Sequence, residues 1–334
     1  MTWRIPAALA LLVSLLPDLS AADGDVGSPP RKVIGGFNLT SITEIADAAQ
    51  TFTAICYVHR RWHDPALATG KREVFLEDAA VEKANDTWRP YINFINETTA
   101  ATPRHAVLTI GADGTVEFGQ EFEVTLRADF ELESFPFDRQ VLQFKIESFA
   151  FPASEMIFEP DPTKMKLGKI RLAQWAVSNL RWKTSLERDE MERDEYHRLT
   201  ISVDAVRKPG FYVWQAFVPL FILFLIASTV FFLPVEDLSD RIGVITTSLL
   251  TAVALSYTVR MDLPKISYLT TIDKLFVTTY VFLGAKILGM LFVRQITEEN
   301  AALARKIDRL SRWTFPGAYP ATNTTIVLWI ITRG

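Results

Sequence analysis

The sequence predicts an antiparallel, immunoglobulin-like β-sandwich outside a membrane, followed by a four-helix transmembrane bundle. Three observations predict it. Residues 23–208 are polar and alternate in short apolar–polar stretches separated by turn residues. After Pro209 the text turns apolar in long uncharged runs. A short apolar leader precedes both parts. The 334-residue chain is 49% hydrophobic and 22% charged, with a mean hydropathy of +0.14, which fits a soluble part carried on membrane helices. Its net charge of −4 offers no basic face for nucleic acid.

The leader, residues 1–22, has Arg4, an apolar run from Ala7 to Leu16, and Ser20-Ala21-Ala22. This is the layout of a cleaved signal peptide, and the run is too brief to span a bilayer. In residues 23–208, strands are predicted at Ala106–Ile110, Val116–Leu126, Val141–Ile146 and Leu199–Val206, and Phe52–Trp62 alternates likewise. Gly111-Ala112-Asp113-Gly114 and Asp161-Pro162 read as turns, and Ala79–Ala84 as a helical turn. Cys56 is the single cysteine, so no intrachain disulfide is possible. Packing alone must hold an exported domain.

The apolar, membrane-embedded part is predicted over residues 209–334. Phe211–Leu233 runs 23 residues without a charge, Ile242–Val259 runs 18, and Leu275–Val293 runs 19 with one, Lys286. Trp313–Thr332 runs 20 without a charge but contains Pro316 and Pro320. Helices are therefore predicted near 209–233, 240–260, 272–294 and 309–332. Arg294, Arg305, Lys306, Arg309 and Arg312 place the 294–312 connection in the cytoplasm, which leaves the N-terminal domain outside. Lys286 is costly in hydrocarbon; it reads as functional, as snorkelling, or as lodged between helices.

The second helix carries chemistry. At about 100° per residue, Gly243, Thr247, Leu250, Ala254, Tyr257 and Met261 fall within about 40° of one line. The stripe also fits a helix–helix contact, for which small residues are favoured. Asp240 lies about 60° from it, with Glu236 one turn earlier, while Arg241 and Arg260 point away toward headgroups or neighbouring subunits. Several copies around an axis would stack an acidic ring, a hydroxyl ring and a leucine constriction. Acidic rings select cations, and apolar constrictions gate by dewetting. One such helix cannot enclose a pore, so the chain must oligomerise.

The stretch DFELESFPFDRQVLQFKIESF, residues 129–149, interrupts strand-like text with Phe135-Pro136-Phe137-Asp138. An apolar turn tip suits a contact rather than open water. This element, with Trp62-His63-Asp64, Trp88-Arg89-Pro90 and Arg207-Lys208-Pro209-Gly210-Phe211-Tyr212, resembles the pentameric ligand-gated ion channels of the Cys-loop receptor superfamily, in their prokaryotic form. Leu263-Pro264 resembles the linker after the pore helix. The family's two bracketing cysteines would fall at Ala128 and Leu142 and are absent, and Tyr91 stands where an acid is common.

The resemblance implies that Phe135, Pro136 and Phe137 press near the Arg260–Lys274 linker containing Pro264, and that Asp138 pairs with Arg207 at the domain boundary. On its own residues, Asp138 reads as an ordinary turn acid, and it is the match in context that favours the coupling role. The resemblance also implies an agonist site between subunits, with Phe94, Glu147, Phe149, Trp182 and Tyr196 as its aromatic and acidic lining, suited to an ammonium group. The charged stretch 187–195 would cap it, and His197 beside Tyr196 could make it sensitive to protons.

His59 and His63 lie too far apart on a strand to share zinc readily, and no nucleophile elbow, phosphate loop or carboxylate pair marks an enzyme or a cofactor site. Asn38, Asn85, Asn96 and Asn323 head glycosylation sequons that matter only in a eukaryotic host. There are too few spans and no inverted repeat for a secondary transporter. The reading is a cation-selective channel subunit with four identical partners in a cell (inner) membrane, passing monovalent cations and opened by a small agonist, an amine among the options, or by protons. The alternative is a non-conducting membrane-anchored sensor built on the same sandwich.

Overall fold

The computed structural model describes residues 29–188, 194–261 and 263–332. The predicted leader and the centre of the charged 187–195 stretch lie outside them. Among the described residues ten strands form the N-terminal part: β1 Arg31–Ala46, β2 Thr51–His63, β3 Glu73–Leu76, β4 Ile92–Phe94, β5 Thr102–Ile110, β6 Thr115–Arg127, β7 Arg139–Ser148, β8 Met156–Leu167, β9 Trp175–Arg188 and β10 Glu195–Arg207. A helix, α1 Glu77–Asn85, follows β3. The sheets run β3-β5-β6-β2-β1-β8 and β4-β7-β10-β9.

Alternation explains the layering. Along β2, Phe52, Ala54, Cys56, Val58, Arg60 and Trp62 are buried while their neighbours are half-exposed, so one face of the strand meets the opposite sheet. Phe144 of β7 fills that space, 4.9 Å from Phe37 and 5.2 Å from Phe52 between ring centroids. Each such buried ring contributes about 2–3 kcal/mol. Gly119 of β6 is required by close approach: a Cβ there would lie 1.6 Å from Tyr57 Oη.

Two expectations need correction. The sandwich is not wholly antiparallel, because β1 and β8 pair in parallel. Asp161-Pro162 does not end a strand either. It lies inside β8, where Gly35 pairs with Pro160 and Phe37 with Met165. The extra residues form a bulge, closed by Asp161 Oδ1 accepting from the Thr163 N–H at 2.9 Å. Proline is tolerated because β8 is an edge strand.

Four long helices follow: α2 Gly210–Phe232, α3 Leu238–Arg260, α4 Thr271–Glu299 and α5 Ala301–Ile331. The first three are long and apolar enough to cross a membrane by length and composition. α5 is longer but is not among them, diluted by Pro316, Pro320, Asn323 and several threonines. Inside α2 the turn Val213–Phe217 is π-helical; Pro219 removes an N–H and crowds the preceding turn, which the wider π turn relieves. Thr270 and Asp273 form a reciprocal capping box that starts α4.

Candidate functional site

The boundary between the two parts is built on Arg207, the last residue of β10. Its side chain has no exposed surface. Nε donates to Asp138 Oδ1 at 2.7 Å, and Nη1 and Nη2 each donate to Asp47 at 2.8 Å. The guanidinium also lies 4.7 Å from the Phe135 ring and 4.0 Å from the Trp175 ring. Burial alone would lower its pKa, but the hydrogen bonds it donates to Asp47 and Asp138 reverse that and hold it above the usual range. Gln140 completes the network, donating to Asp138 Oδ2 at 2.7 Å and to Glu131 O at 2.9 Å. The expected Asp138–Arg207 pair is present; Asp47, on the β1–β2 turn, is a further partner with no local sequence signal.

The turn 129–139 rests on two helices. The Phe135 ring meets Tyr212 at 4.6 Å and Phe137 meets Phe217 at 6.0 Å, both on α2. The α3–α4 linker and the first turn of α4 touch the preceding residues instead: Tyr268 Oη of the linker accepts from Leu132 N–H at 3.1 Å, Thr271 N–H of α4 donates to Glu133 O at 3.0 Å, and Lys274 of α4 sits 3.2 Å from Glu133. Pro136 is buried, and Pro264 is half-buried earlier in that linker. The aromatic tip therefore docks on α2, and its flank on the linker and the start of α4.

On α3 the residues of the predicted stripe, Gly243, Thr247, Leu250, Ala254, Tyr257 and Met261, are all exposed in the single subunit. Leu250 and Tyr257 are each 66% exposed. Arg241, Ile245, Ser248, Ala252 and Val259 form the opposite, buried face. Glu236 and Asp240 are exposed at the start of the helix. Arg241 differs from expectation. It does not point to headgroups; it is 1% exposed and pairs with Asp308 of α5 at 2.8 Å while donating to Leu233 O at 2.6 Å. The basic residue thereby fastens α5 to the foot of α3. Arg260 remains exposed, 2.9 Å from Asp273. Lys286 is lodged between helices and does not snorkel: it is fully buried, donates to Ser228 Oγ at 2.7 Å and Phe224 O at 3.3 Å, and lies over the Phe224 ring.

The expected agonist residues separate into two groups. Glu147 is 8% exposed and bonded to Arg198 Nε, its cross-strand neighbour. Tyr196 lies two residues before Arg198 on the same outward face. Phe149 is 74% exposed, and its N–H donates to Tyr91 O at 2.9 Å. These four lie at one end of the four-stranded sheet. Phe94 is not with them: it is 2% exposed and packs on Phe122 in the core. Trp182 is not with them either. It opposes Ile201, whose face is inward, whereas Tyr196 opposes Glu187 five residues away, about 17 Å along the strand. His197 also faces away from Tyr196. Its Nδ1 accepts the Phe158 N–H at 3.1 Å, and burial lowers its pKa. Among the described residues no group of three or more metal-ligating side chains occurs.

Comparison with known proteins adds the following. Residues 19–209 match the family described as neurotransmitter-gated ion-channel ligand binding domain. The chain is similar to a gamma-aminobutyric acid receptor subunit beta-like protein of Drosophila melanogaster, 26% identical over 278 residues, covering 78% of this chain and 56% of that protein. It is also similar to gamma-aminobutyric acid receptor subunit beta of Caenorhabditis elegans, 25% identical over 258 residues, covering 75% of this chain and 46% of that protein. The chain thus spans about half the length of the curated relatives it matches.

Proposed function

The chain belongs to the neurotransmitter-gated ion-channel ligand-binding domain family, and from that premise we propose that it is one subunit of a homopentameric, agonist-gated channel. Residues 23–208 form its exported ligand-binding part and 209–334 its pore part, after removal of residues 1–22. α3 lines the pore. The observation that carries this reading is the α3 stripe: a small, hydroxylic and apolar line left exposed from Gly243 to Met261 while the opposite face packs into the subunit. Hydroxyls and glycine suit a water-filled lumen shared among copies better than lipid.

Glu236 and Asp240 would form acidic rings at one mouth, which supports passage of monovalent cations. Opening begins at the Glu147, Arg198, Tyr196 and Phe149 surface and reaches α2 and α4 through the turn 129–139. The relatives are named for gamma-aminobutyric acid, which carries an amine and a carboxylate. A small amine could meet Glu147 and the aromatic rings, and a carboxylate on it could meet Arg198. We read the form as prokaryotic, placed in an inner membrane with the sandwich outside. Ala128 and Leu142 in place of the bracketing cysteines, and the short 294–312 connection, support this.

The test is ion flux from liposomes containing the purified full chain, challenged with gamma-aminobutyric acid, other small amines, carboxylates and acid. Stimulated sodium efflux is expected. Absence of flux with every stimulus, from protein shown to be pentameric, would favour the non-conducting sensor.

A further inference from the structure

Arg60 and Trp62 lie two residues apart on β2, so both side chains enter the space between the sheets, and each is 3% exposed. Arg60 donates Nη1 to Pro90 O and Nη2 to Gln120 Oε1, both at 3.2 Å, and its guanidinium lies 4.5 Å from the Phe118 ring. None of these partners carries a negative charge. The acids of β6 are on the wrong face: Phe118, Gln120 and Phe122 turn inward, while Glu117, Glu121 and Glu123 alternate outward to meet His59, Arg61 and Arg104. The charge that acts on Arg60 is a like one, Arg89. Burial first, and Arg89 second, push the Arg60 pKa down to about 9.

Three buried N–H groups here have no partner among the described residues: Arg60 Nε, Arg89 Nε and Trp62 Nε1. Trp62 packs on Trp88, the neighbour of Arg89, with ring centroids 5.9 Å apart, and Arg31 covers Trp88 at 4.5 Å. Guanidiniums near enough to repel, with spare donors and no carboxylate partner among the described residues, make a charge and hydrogen-bond pattern that an anion completes. We propose that Arg60, Arg89 and Trp62 form a binding site for a small monovalent anion, a halide or short carboxylate, inside the exported sandwich.

The site is far from the membrane. Arg60 lies nine residues along β2 from Thr51 at the boundary end, about 30 Å. It is close to the agonist surface, because Tyr91 O holds the Phe149 N–H and Trp88 packs 5.3 Å from Phe151. An anion that orders residues 88–91 therefore steadies the backbone beneath Phe149. Binding of the anion does not depend on ion conduction.

The experiment uses the purified full chain in detergent at constant ionic strength, with chloride replacing gluconate and thermal unfolding as the readout. Wild type should gain about 2–4 °C, levelling off as the site fills. Arg89→Gln, at a half-buried position, should flatten the titration, and Arg60→Met should abolish it. Bromide-soaked crystals of wild type should show anomalous density between Arg60, Arg89 and Trp62, and acetate titrations tell a carboxylate occupant from a halide. Equal chloride dependence in wild type and Arg89→Gln would overturn the proposal, as would bromide density confined to other places. Should Arg60→Met not fold, Arg89→Gln and the bromide map decide alone.

Discussion

Arg207 meets two carboxylates and two aromatic faces with no exposed surface of its own, so its charge is matched only while both acids stay. Asp138→Asn would leave it with Asp47 alone and break the link to Gln140. Removing one member of a buried pair costs about 3–5 kcal/mol when the charge is left bare, and Asp47 should hold the loss near about 3 kcal/mol. Chemical unfolding of the purified chain checks the figure; a change below about 1 kcal/mol would mean that the pair adds little. Half of this network was legible. Asp138 and Arg207 sit in recognisable motifs, but Asp47 lies 160 residues from Arg207 in a turn whose acid is indistinguishable from any solvated one. Phe94 and His197 misled for a related reason. Aromatic and imidazole side chains serve cores and sites alike, and only the packing of Phe94 on Phe122 and the Phe158 N–H bond to His197 show that both face away from the proposed agonist surface.

Elements were legible where one face is buried and one is wet. The alternation of β2, β6 and β10 marked them as strands, whereas β8 and β9 are edge strands whose mixed exposure carries no clean period. That difference matters for the ligand. The β9–β10 register puts Trp182 on the inward face and Tyr196 on the outward one. Tyr196→Ala should therefore raise the half-maximal agonist concentration about tenfold, the equivalent of one lost cation–π contact of some 1–2 kcal/mol, while Trp182→Ala leaves it within about twofold. Concentration–response curves for the two mutants decide; the reverse order would move the site to the inner face. α3 offers the matching prediction for the gate. Leu250 is the large apolar member at the middle of the exposed stripe, so a hydroxyl there should keep the constriction wet. Leu250→Ser should give standing current or respond at lower agonist concentration, recorded in oocytes or bilayers. A silent, normally activated mutant that assembles would place the gate elsewhere.

At the scale of the whole molecule, what a single subunit leaves uncovered says how copies must meet. The α3 stripe, Glu236 and Asp240 are all exposed, while Arg241, the base next to Asp240 in sequence, is buried against Asp308 of its own subunit. In a ring of five, the mouth would then carry ten carboxylates with Arg241 withdrawn behind them, and such a mouth concentrates cations. The relatives' names leave the sign of the permeant ion open, so the charge arithmetic has to be tested directly. Asp240→Asn should lower single-channel conductance and shift the reversal potential in a sodium chloride gradient toward the chloride value. Adding Glu236→Gln should move it further, because in such a ring the two carboxylates would share one mouth. The double mutant keeps the buried Arg241–Asp308 pair, so assembly should survive and the shift can be read as selectivity. If the double mutant's reversal potential matches wild type, the filter lies elsewhere along the stripe. A wild-type reversal potential already at the chloride value would show that the acidic rings face away from the lumen.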